Sequence, residues 1–440
     1  MPRDLHPSSF SYADRFADAA PSLPGQHLPW LRDLRTAAIE RVRRLGLPTS
    51  RAERWKYTNL NVLNAVAFTP AGSAPAAASD SLPNASGNYH FVLVDGRHRP
   101  ELSTVTPPLG LSISSLSRLL QDDPEAARLL LAGHVDGEDA LDALNLAFAA
   151  DGYVIHAAAG AKIETPIEIV HVNSTGLAAT AIHTRNVVIA DAGSSAAIVE
   201  SFVGGADAAY WSHAACDIKV APGAVVHRYK DQDDGIKAFH IAADRVSVAR
   251  DARYESFVLA TGAALSRHEI ALTLDGSGAS CQLDGGYLAR GRQHVDNTTE
   301  IRHAQPQTTS SEVYKGVLDG QARGVFQGRI VVEKDAQKSN GHQLSKTILL
   351  SDRAEIDTKP ELEIFADDVK CSHGATAGEL DGDALFYLRA RGIDLAEARR
   401  LLVEAFIHDA LANVTDATVR GAFERRIGSW MARSSEDRTE

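Results

Sequence analysis

Residues 192–202 have the sequence AGSSAAIVESF, and four later stretches repeat its pattern: APGAVVHRYKD (221–231), RDARYESFVLA (250–260), GSGASCQLDGG (276–286) and DRAEIDTKPEL (352–362). Each stretch places a small or turn-forming residue just before a short run that suits a β-strand. The stretches recur at intervals of roughly 26 to 29 residues, with one wider gap, which is the kind of period that stacked coils produce. Together they predict a parallel β-solenoid, in which every coil covers the apolar face of its neighbour.

The region from residue 151 to residue 379 is accordingly predicted to be a β-helix core. Between Tyr153 and Lys370, short β-branched runs alternate with Gly, Asp and Asn, and hardly any segment is long enough for a helix. In one such run Leu362 and Ile364 alternate with glutamates, so that apolar and charged side chains point to opposite faces. A β-sandwich is the competing architecture, but its strand count would be unusual for a region of this length.

Both flanks of this core are predicted to be helical. In the N-terminal domain, residues 1–150, apolar residues follow helical spacing from Leu31 to Leu45 and again from Ser114 to Ala150. Between these helices the segment from Thr69 to Ser86 is dominated by Ala, Ser, Pro and Gly, which predicts a flexible linker.

The C-terminal domain, residues 380–440, contains a helix that opens with a capping-box spacing at Asp394 and Glu397. Leu395, Leu402 and Phe406 belong to an apolar stripe along this helix. Such a stripe packs on its own domain or meets a partner, so these three residues are candidates for partner docking.

Composition excludes several classes of partner. The chain has 440 residues and a formal net charge of -12, and its Lys and Arg residues are scattered, so no basic stripe is available for nucleic acid. No stretch approaches the roughly 18 apolar residues that span a bilayer, and residues 1–24 lack the apolar run of a signal peptide. A cytoplasmic location without membrane contact is the expectation.

The three cysteines, Cys216, Cys281 and Cys371, are too widely spaced for a disulfide framework or a CxxC metal motif. They cannot supply the four thiolates that an iron-sulfur cluster takes from a single chain. Any metal site must therefore be completed by other residue types or by another subunit.

Motifs of common enzyme classes are missing from the sequence. It contains no GxxxxGK[ST], no HExxH and no GxSxG. A β-helix carbohydrate-active enzyme, such as a polysaccharide lyase or hydrolase, stays open as an alternative by analogy of fold. The pairs Asp233–Asp234 and Asp367–Asp368 do not favour it, because adjacent strand residues point to opposite faces and catalytic carboxylates must converge on one bond. Both pairs are predicted to be solvated turns.

The segment DDVKCSHGATAGELD, residues 367–381, joins the last predicted strand to the helical tail. Cys371 and His373 lie two residues apart, so in an extended backbone both side chains project from one face. A thiolate beside an imidazole is a half-site for iron, copper or zinc. From composition alone, a buried, inert Cys371 and a hydrogen-bonding His373 are the favoured explanation of the pair, because a free cysteine is commonly a buried residue.

The same segment resembles a known family. The sequence KCSHGATAGELDGDALFYLRARGI, from Lys370 to Ile393, and DTKPELEIFADDV just before it are similar to the C-terminal signature of SufD. SufD belongs to the SufB/SufD family of iron-sulfur cluster assembly proteins. GLPTSRAERWKYTNL, from Gly46 to Leu60, is similar to the WKYT segment near the start of SufD-type chains. Because the matches lie at both ends with a β-rich region between them, the resemblance covers the whole chain.

The resemblance implies a right-handed parallel β-helix with helical flanks and a non-catalytic scaffold function. It implies that the C-terminal helices dock a SufC ATPase and that the chain pairs with SufB through the ends of their β-helices. The nascent iron-sulfur cluster is then built at that interface, with His373 as the leading ligand candidate and Cys371 as a second ligand or as a residue that orients the histidine. A reduced flavin in the assembled complex and a homodimer of the isolated chain are both compatible with the resemblance.

Overall fold

The computed structural model describes residues 11–72, 89–132, 139–173 and 179–436. The predicted linker from Thr69 to Ser86 lies largely outside these residues, and its described part contains the two-residue strand β1, Thr69–Pro70. Within the described ranges, no helix combines the length and the apolar composition needed to cross a membrane.

Two long sheets form the middle of the molecule, and the chain passes from one sheet to the other at successive strands. Sheet A contains β1, β5 (Leu111–Ser115), β6 (Tyr153–Ala157), β8 (Thr180–Ala190), β10 (Tyr210–Val220), β12 (Phe239–Val248), β14 (Leu265–Leu274), β16 (His294–His303), β18 (Arg323–Val332) and β20 (Glu355–Ile364). Sheet B contains β2 (Tyr89–Val94), β3 (Arg97–His98), β4 (Thr104–Val105), β7 (Ile167–Asn173), β9 (Ser195–Gly204), β11 (Val225–Asp233), β13 (Arg253–Ala260), β15 (Ser280–Ala289), β17 (Thr309–Leu318), β19 (Asn340–Leu349) and β21 (Lys370–Gly378).

Pairing within each sheet is parallel from β6 and β7 onward, with antiparallel pairs confined to the N-terminal end. A β-sandwich is built from antiparallel sheets. The prediction of a mostly β protein with a parallel β-helix core is therefore confirmed. Strands β2 to β5 lie in residues 89–115, where the sequence analysis expected no strand.

A corner residue with positive φ explains the repeated sequence pattern. Gly193, Gly223, Asp251 and Gly278 each lie two residues before a strand of sheet B, with φ between 57° and 73°. Glycine adopts this left-handed conformation without strain, and Asp tolerates it better than most residues. In the four repeats that precede strands of sheet B, this residue turns the chain into the next strand, whereas the fifth repeat (352–362) precedes β20 of sheet A and has no residue with positive φ.

The interior of the solenoid has an apolar edge and a polar middle. Arg228 donates to Glu200 at 2.5 Å and also to Asp244, and Asp244 is hydrogen-bonded to His268. All four side chains are buried. Buried charges need such partners, because an unpaired ion loses its hydration without compensation. The apolar edge beside them contains Val226, Val246, Leu272, Ile301 and Ile330.

The N-terminal helices cover the outer face of sheet A. They are α1 (Phe16–Ala19), α2 (Pro29–Leu45), α3 (Asn61–Asn64), α4 (Leu116–Asp122), α5 (Pro124–Leu131) and α6 (Ala140–Phe148). Their apolar side chains pack with Trp211 and Ile241 of the sheet. Trp55 is buried beneath the guanidinium of Arg267, whose Cζ lies 3.9 Å from the ring centroid, so the WKYT segment anchors this layer.

The C-terminal helices are α7 (Gly382–Ala390), α8 (Leu395–His408) and α9 (Ala417–Glu436). Asp394 caps α8 by accepting a hydrogen bond from the backbone N–H of Glu397, as the capping-box spacing predicts. Helix α8 buries Ala398, Val403 and Ile407. Val403 and Ile407 pack on the outer face of sheet B, and Phe406 of the predicted stripe packs against the same cluster.

Candidate functional site at the open end of the solenoid

The last coil of the solenoid has no coil stacked on it. Among the described residues, β20 pairs with β18 and β21 pairs with β19, and neither strand has a neighbour on its other side. Each strand therefore presents a free edge of backbone N–H and C=O groups, which is a template for pairing with another chain.

Cys371 and His373 both lie on the inward-facing side of β21. Cys371 pairs in register with Gly341, and His373 pairs with Gln343, two residues that are buried in the interior. The Cys371 Sγ atom would lie 3.5 Å from a Cβ built on Gly341, which places the thiol over the interior. His373 is nevertheless exposed, because no further coil covers the end of the solenoid.

The two candidate ligands differ in their surroundings. Cys371 is half-buried, and this burial raises the pKa of its thiol. A metal that bound Cys371 would therefore have to displace the proton of a neutral thiol. The His373 imidazole makes no hydrogen bond within the described part of the chain, so its ring nitrogens are available to bind a metal ion.

Behind His373 lie two buried polar residues that the sequence analysis did not single out. Gln343 Nε2 donates to Glu312 Oε2 at 2.9 Å, and both side chains are fully buried. Burial raises the pKa of Glu312 to about 7. Glu312 pairs in register with Gln343, so the two residues and His373 form one row across β17, β19 and β21.

A complete metal site is not present in the chain that the structure describes. No group of three or more His, Cys, Asp or Glu side chains has the arrangement that would hold a metal ion there. Cys371 and His373 thus supply at most two ligands.

Comparison with known proteins decides the family. The family model described as the SufBD core domain of SUF-system FeS cluster assembly matches residues 171–406, and the SufBD N-terminal region model matches residues 7–169. The chain belongs to the SufBD family. An iron-sulfur cluster assembly SufBD family protein of Synechocystis sp. is 31% identical over 408 residues, covering 89% of each chain. The iron-sulfur cluster assembly protein SufD of Escherichia coli is 30% identical over 395 residues, covering 89% of this chain and 90% of that protein.

These findings confirm the family resemblance drawn from the sequence. The segment with Cys371 and His373 lies inside the region that the SufBD core model matches. The open end of the solenoid is therefore a feature of an iron-sulfur cluster assembly protein.

The candidate docking residues of this SufBD-family chain lie in three different environments. Leu395 is exposed and Leu402 is half-buried. Phe406 packs against apolar residues on the outer face of sheet B, and its ring centroid lies 5.0 Å from Lys315 Nζ. The larger exposed apolar surface is on α7, where Phe386 is 73% and Tyr387 is 56% exposed.

One of the two acidic pairs differs from its prediction. Asp234 is buried rather than solvated, and it accepts hydrogen bonds from Tyr210 Oη at 2.8 Å and from Asn173 Nδ2 at 3.0 Å. Side chains along β11 point alternately inward and outward, and this alternation continues one residue past the end of the strand, so that Asp234 points inward. Asp367 and Asp368 are exposed, as predicted.

Proposed function

We propose that this chain is a non-catalytic scaffold subunit that holds a nascent iron-sulfur cluster between its open solenoid end and a SufB homologue. The observation that carries the proposal is the position of His373, an exposed imidazole on the inward row of β21, the last strand of sheet B. At this position a ligand faces whatever subunit covers the end.

The free edges of β20 and β21 support a β-rich partner. An added strand satisfies the open backbone groups by main-chain hydrogen bonding, which is β-augmentation. A SufB homologue with its own solenoid supplies such strands at the same spacing. We therefore propose that the two solenoids meet end to end.

His373 is suited to iron by its chemistry. An imidazole replaces a thiolate on iron in Rieske-type clusters. We propose His373 as a ligand to the shared cluster and Cys371 as a second ligand or as a residue that orients the histidine. The remaining ligands come from the SufB homologue, since the described residues group no third donor with this pair.

The C-terminal helices are proposed to dock a SufC homologue. Exposed Phe386 and Tyr387 on α7, together with Leu395 at the start of α8, offer an apolar surface that favours a protein partner. Helix α8 is fixed to sheet B through Val403 and Ile407. Movement of an ATPase bound at α7 is thereby passed to the solenoid.

The test is His373→Ala in a complex reconstituted with SufB and SufC homologues. We expect the complex to assemble at its normal stoichiometry in size-exclusion chromatography while the visible absorption of the cluster is lost. His342→Ala is the matched control, because His342 is exposed on the neighbouring strand but faces outward toward Ser372. Full cluster formation by the His373→Ala complex would refute the ligand role.

Two further expectations belong to this proposal. A reduced flavin is proposed to bind the assembled complex rather than the isolated chain, and flavin fluorescence titrations of both samples test this. Cytoplasmic location stays a prediction. A carbohydrate-active enzyme is not favoured, because the chain belongs to a family of cluster assembly proteins.

A further inference from the structure

One row of inward-facing side chains leads from the polar interior to the open end. Glu312, Gln343 and His373 occupy the same register position on three successive strands of sheet B. Neighbouring strands in a sheet lie about 4.8 Å apart, so consecutive side chains of such a row are within reach of each other.

The amide of Gln343 is held in one orientation. Its Nε2 donates to Glu312 Oε2 at 2.9 Å. Across the interior lies Gly328, where a Cβ would be 1.6 Å from that same Nε2, so the amide occupies space that a glycine leaves open. Because Nε2 donates to Glu312, the amide oxygen Oε1 of Gln343 points away from the Glu312 carboxyl.

Gln343 Oε1 is a buried acceptor without a hydrogen-bond partner in the described residues. A buried polar atom without a partner costs about 1 to 3 kcal/mol, and native proteins keep few of them. The next residue in its row is His373, whose ring also has no partner among those residues. A buried acceptor and an imidazole without partners thus occupy neighbouring register positions on β19 and β21.

We propose, on the basis of the proposed function, that Gln343 is a positioning residue for His373. Its Oε1 accepts the N–H of the imidazole nitrogen that does not bind iron, and Glu312 holds the amide in that orientation. Histidines that bind metals commonly donate their second N–H to a carbonyl or carboxylate, which fixes the tautomer and the ring orientation. Here the supporting acceptor comes from the preceding coil.

The test is Gln343→Leu in the complex with SufB and SufC homologues, loaded with ferrous iron and sulfide. Loss of such an outer partner typically weakens metal binding 10- to 100-fold. We expect iron loss to a ferrous chelator to be about 10 to 100 times faster, with unchanged complex stoichiometry. Ser345→Ala is the matched control, because Ser345 is the next inward residue on β19 and is equally buried.

The swap of Glu312→Gln with Gln343→Glu separates positioning from packing. It keeps both side-chain volumes and reverses the hydrogen bond, so that a carboxylate oxygen still faces His373. We expect the swapped complex to retain iron at close to the parental rate even where Gln343→Leu folds poorly. Rapid iron loss from the swapped complex, or parental iron retention by Gln343→Leu, overturns the inference.

The failure of this inference differs from the failure of the proposed function. If His373→Ala abolishes the cluster while Gln343→Leu retains iron normally, the ligand role stands and the positioning role is wrong. If His373→Ala has no effect, both are wrong.

Discussion

Glu312 provides a test of the interior electrostatics that is independent of any partner. Burial raises the pKa of its carboxyl from 4.5 to about 7. Because the pKa of this carboxyl is higher in the folded state than in the unfolded state, the folded state is most stable at pH values where the carboxyl is protonated. The free energy of unfolding therefore falls as the pH rises from about 4.5 through 7 and levels off above that.

The cost follows from the size of the pKa difference. One pKa unit corresponds to about 1.4 kcal/mol, so the ionised carboxylate costs up to roughly 3 kcal/mol above pH 7. Glu312→Gln removes the charge and keeps an oxygen for the amide of Gln343. We expect the variant to be more stable than the parent by about 1 to 3 kcal/mol at pH 8, with the difference vanishing near pH 4.5.

Urea unfolding of the isolated chain at several pH values measures this difference. Glu200→Gln is the opposite control, because Arg228 and His171 hold the pKa of Glu200 well below its usual value. That variant is expected to be destabilised at pH 8. A Glu312→Gln variant with the same stability difference at every pH, or one that is less stable at pH 8, would contradict a raised pKa of Glu312.

Three further predictions concern the layers that cover the solenoid and its interior. Burial lowers the pKa of His183 and lowers that of His213 to about 3. As the pH falls, these histidines are therefore protonated in the unfolded chain before they are protonated in the folded chain. The melting temperature should fall as the pH drops from about 6.5 toward 3, and it should fall less in His213→Gln. Arg426→Ala removes charge-assisted hydrogen bonds to two carboxylates on β11. We expect the amide hydrogens of α9 to exchange faster and the free energy of unfolding to fall by about 2 kcal/mol. Gly328→Ala should lower the melting temperature, with a cost of about 1 to 3 kcal/mol, because its Cβ overlaps a buried amide. Gly378→Ala, with no atom within 4 Å of its Cβ, should leave the melting temperature unchanged, and equal melting temperatures for both glycine variants would contradict this account.

The solenoid was predictable from sequence because each coil repeats the same local requirement. A residue with positive φ lies two positions before several strands of sheet B, and Gly193 and Gly223 meet this requirement before β9 and β11. Strands β2 to β5 were missed, since they join the solenoid outside the repeat and next to helical patterns. Of the predicted stripe of α8, Phe406 packs against sheet B and Leu395 is exposed, because the face that a helix buries depends on the sheet it meets.

Local sequence patterns were sufficient to predict that the chain is a parallel solenoid of the SufBD family and that Cys371 and His373 share one face of a strand. These properties follow from local periodicity and short motifs, which adjacent residues encode. Tertiary structure alone decided that this inward face is open to solvent, because the exposure of an inward side chain depends on whether another coil covers it. It also brought Glu312 and Gln343 into line behind His373, since the register between strands is set by the length of each coil and is not written in any single segment.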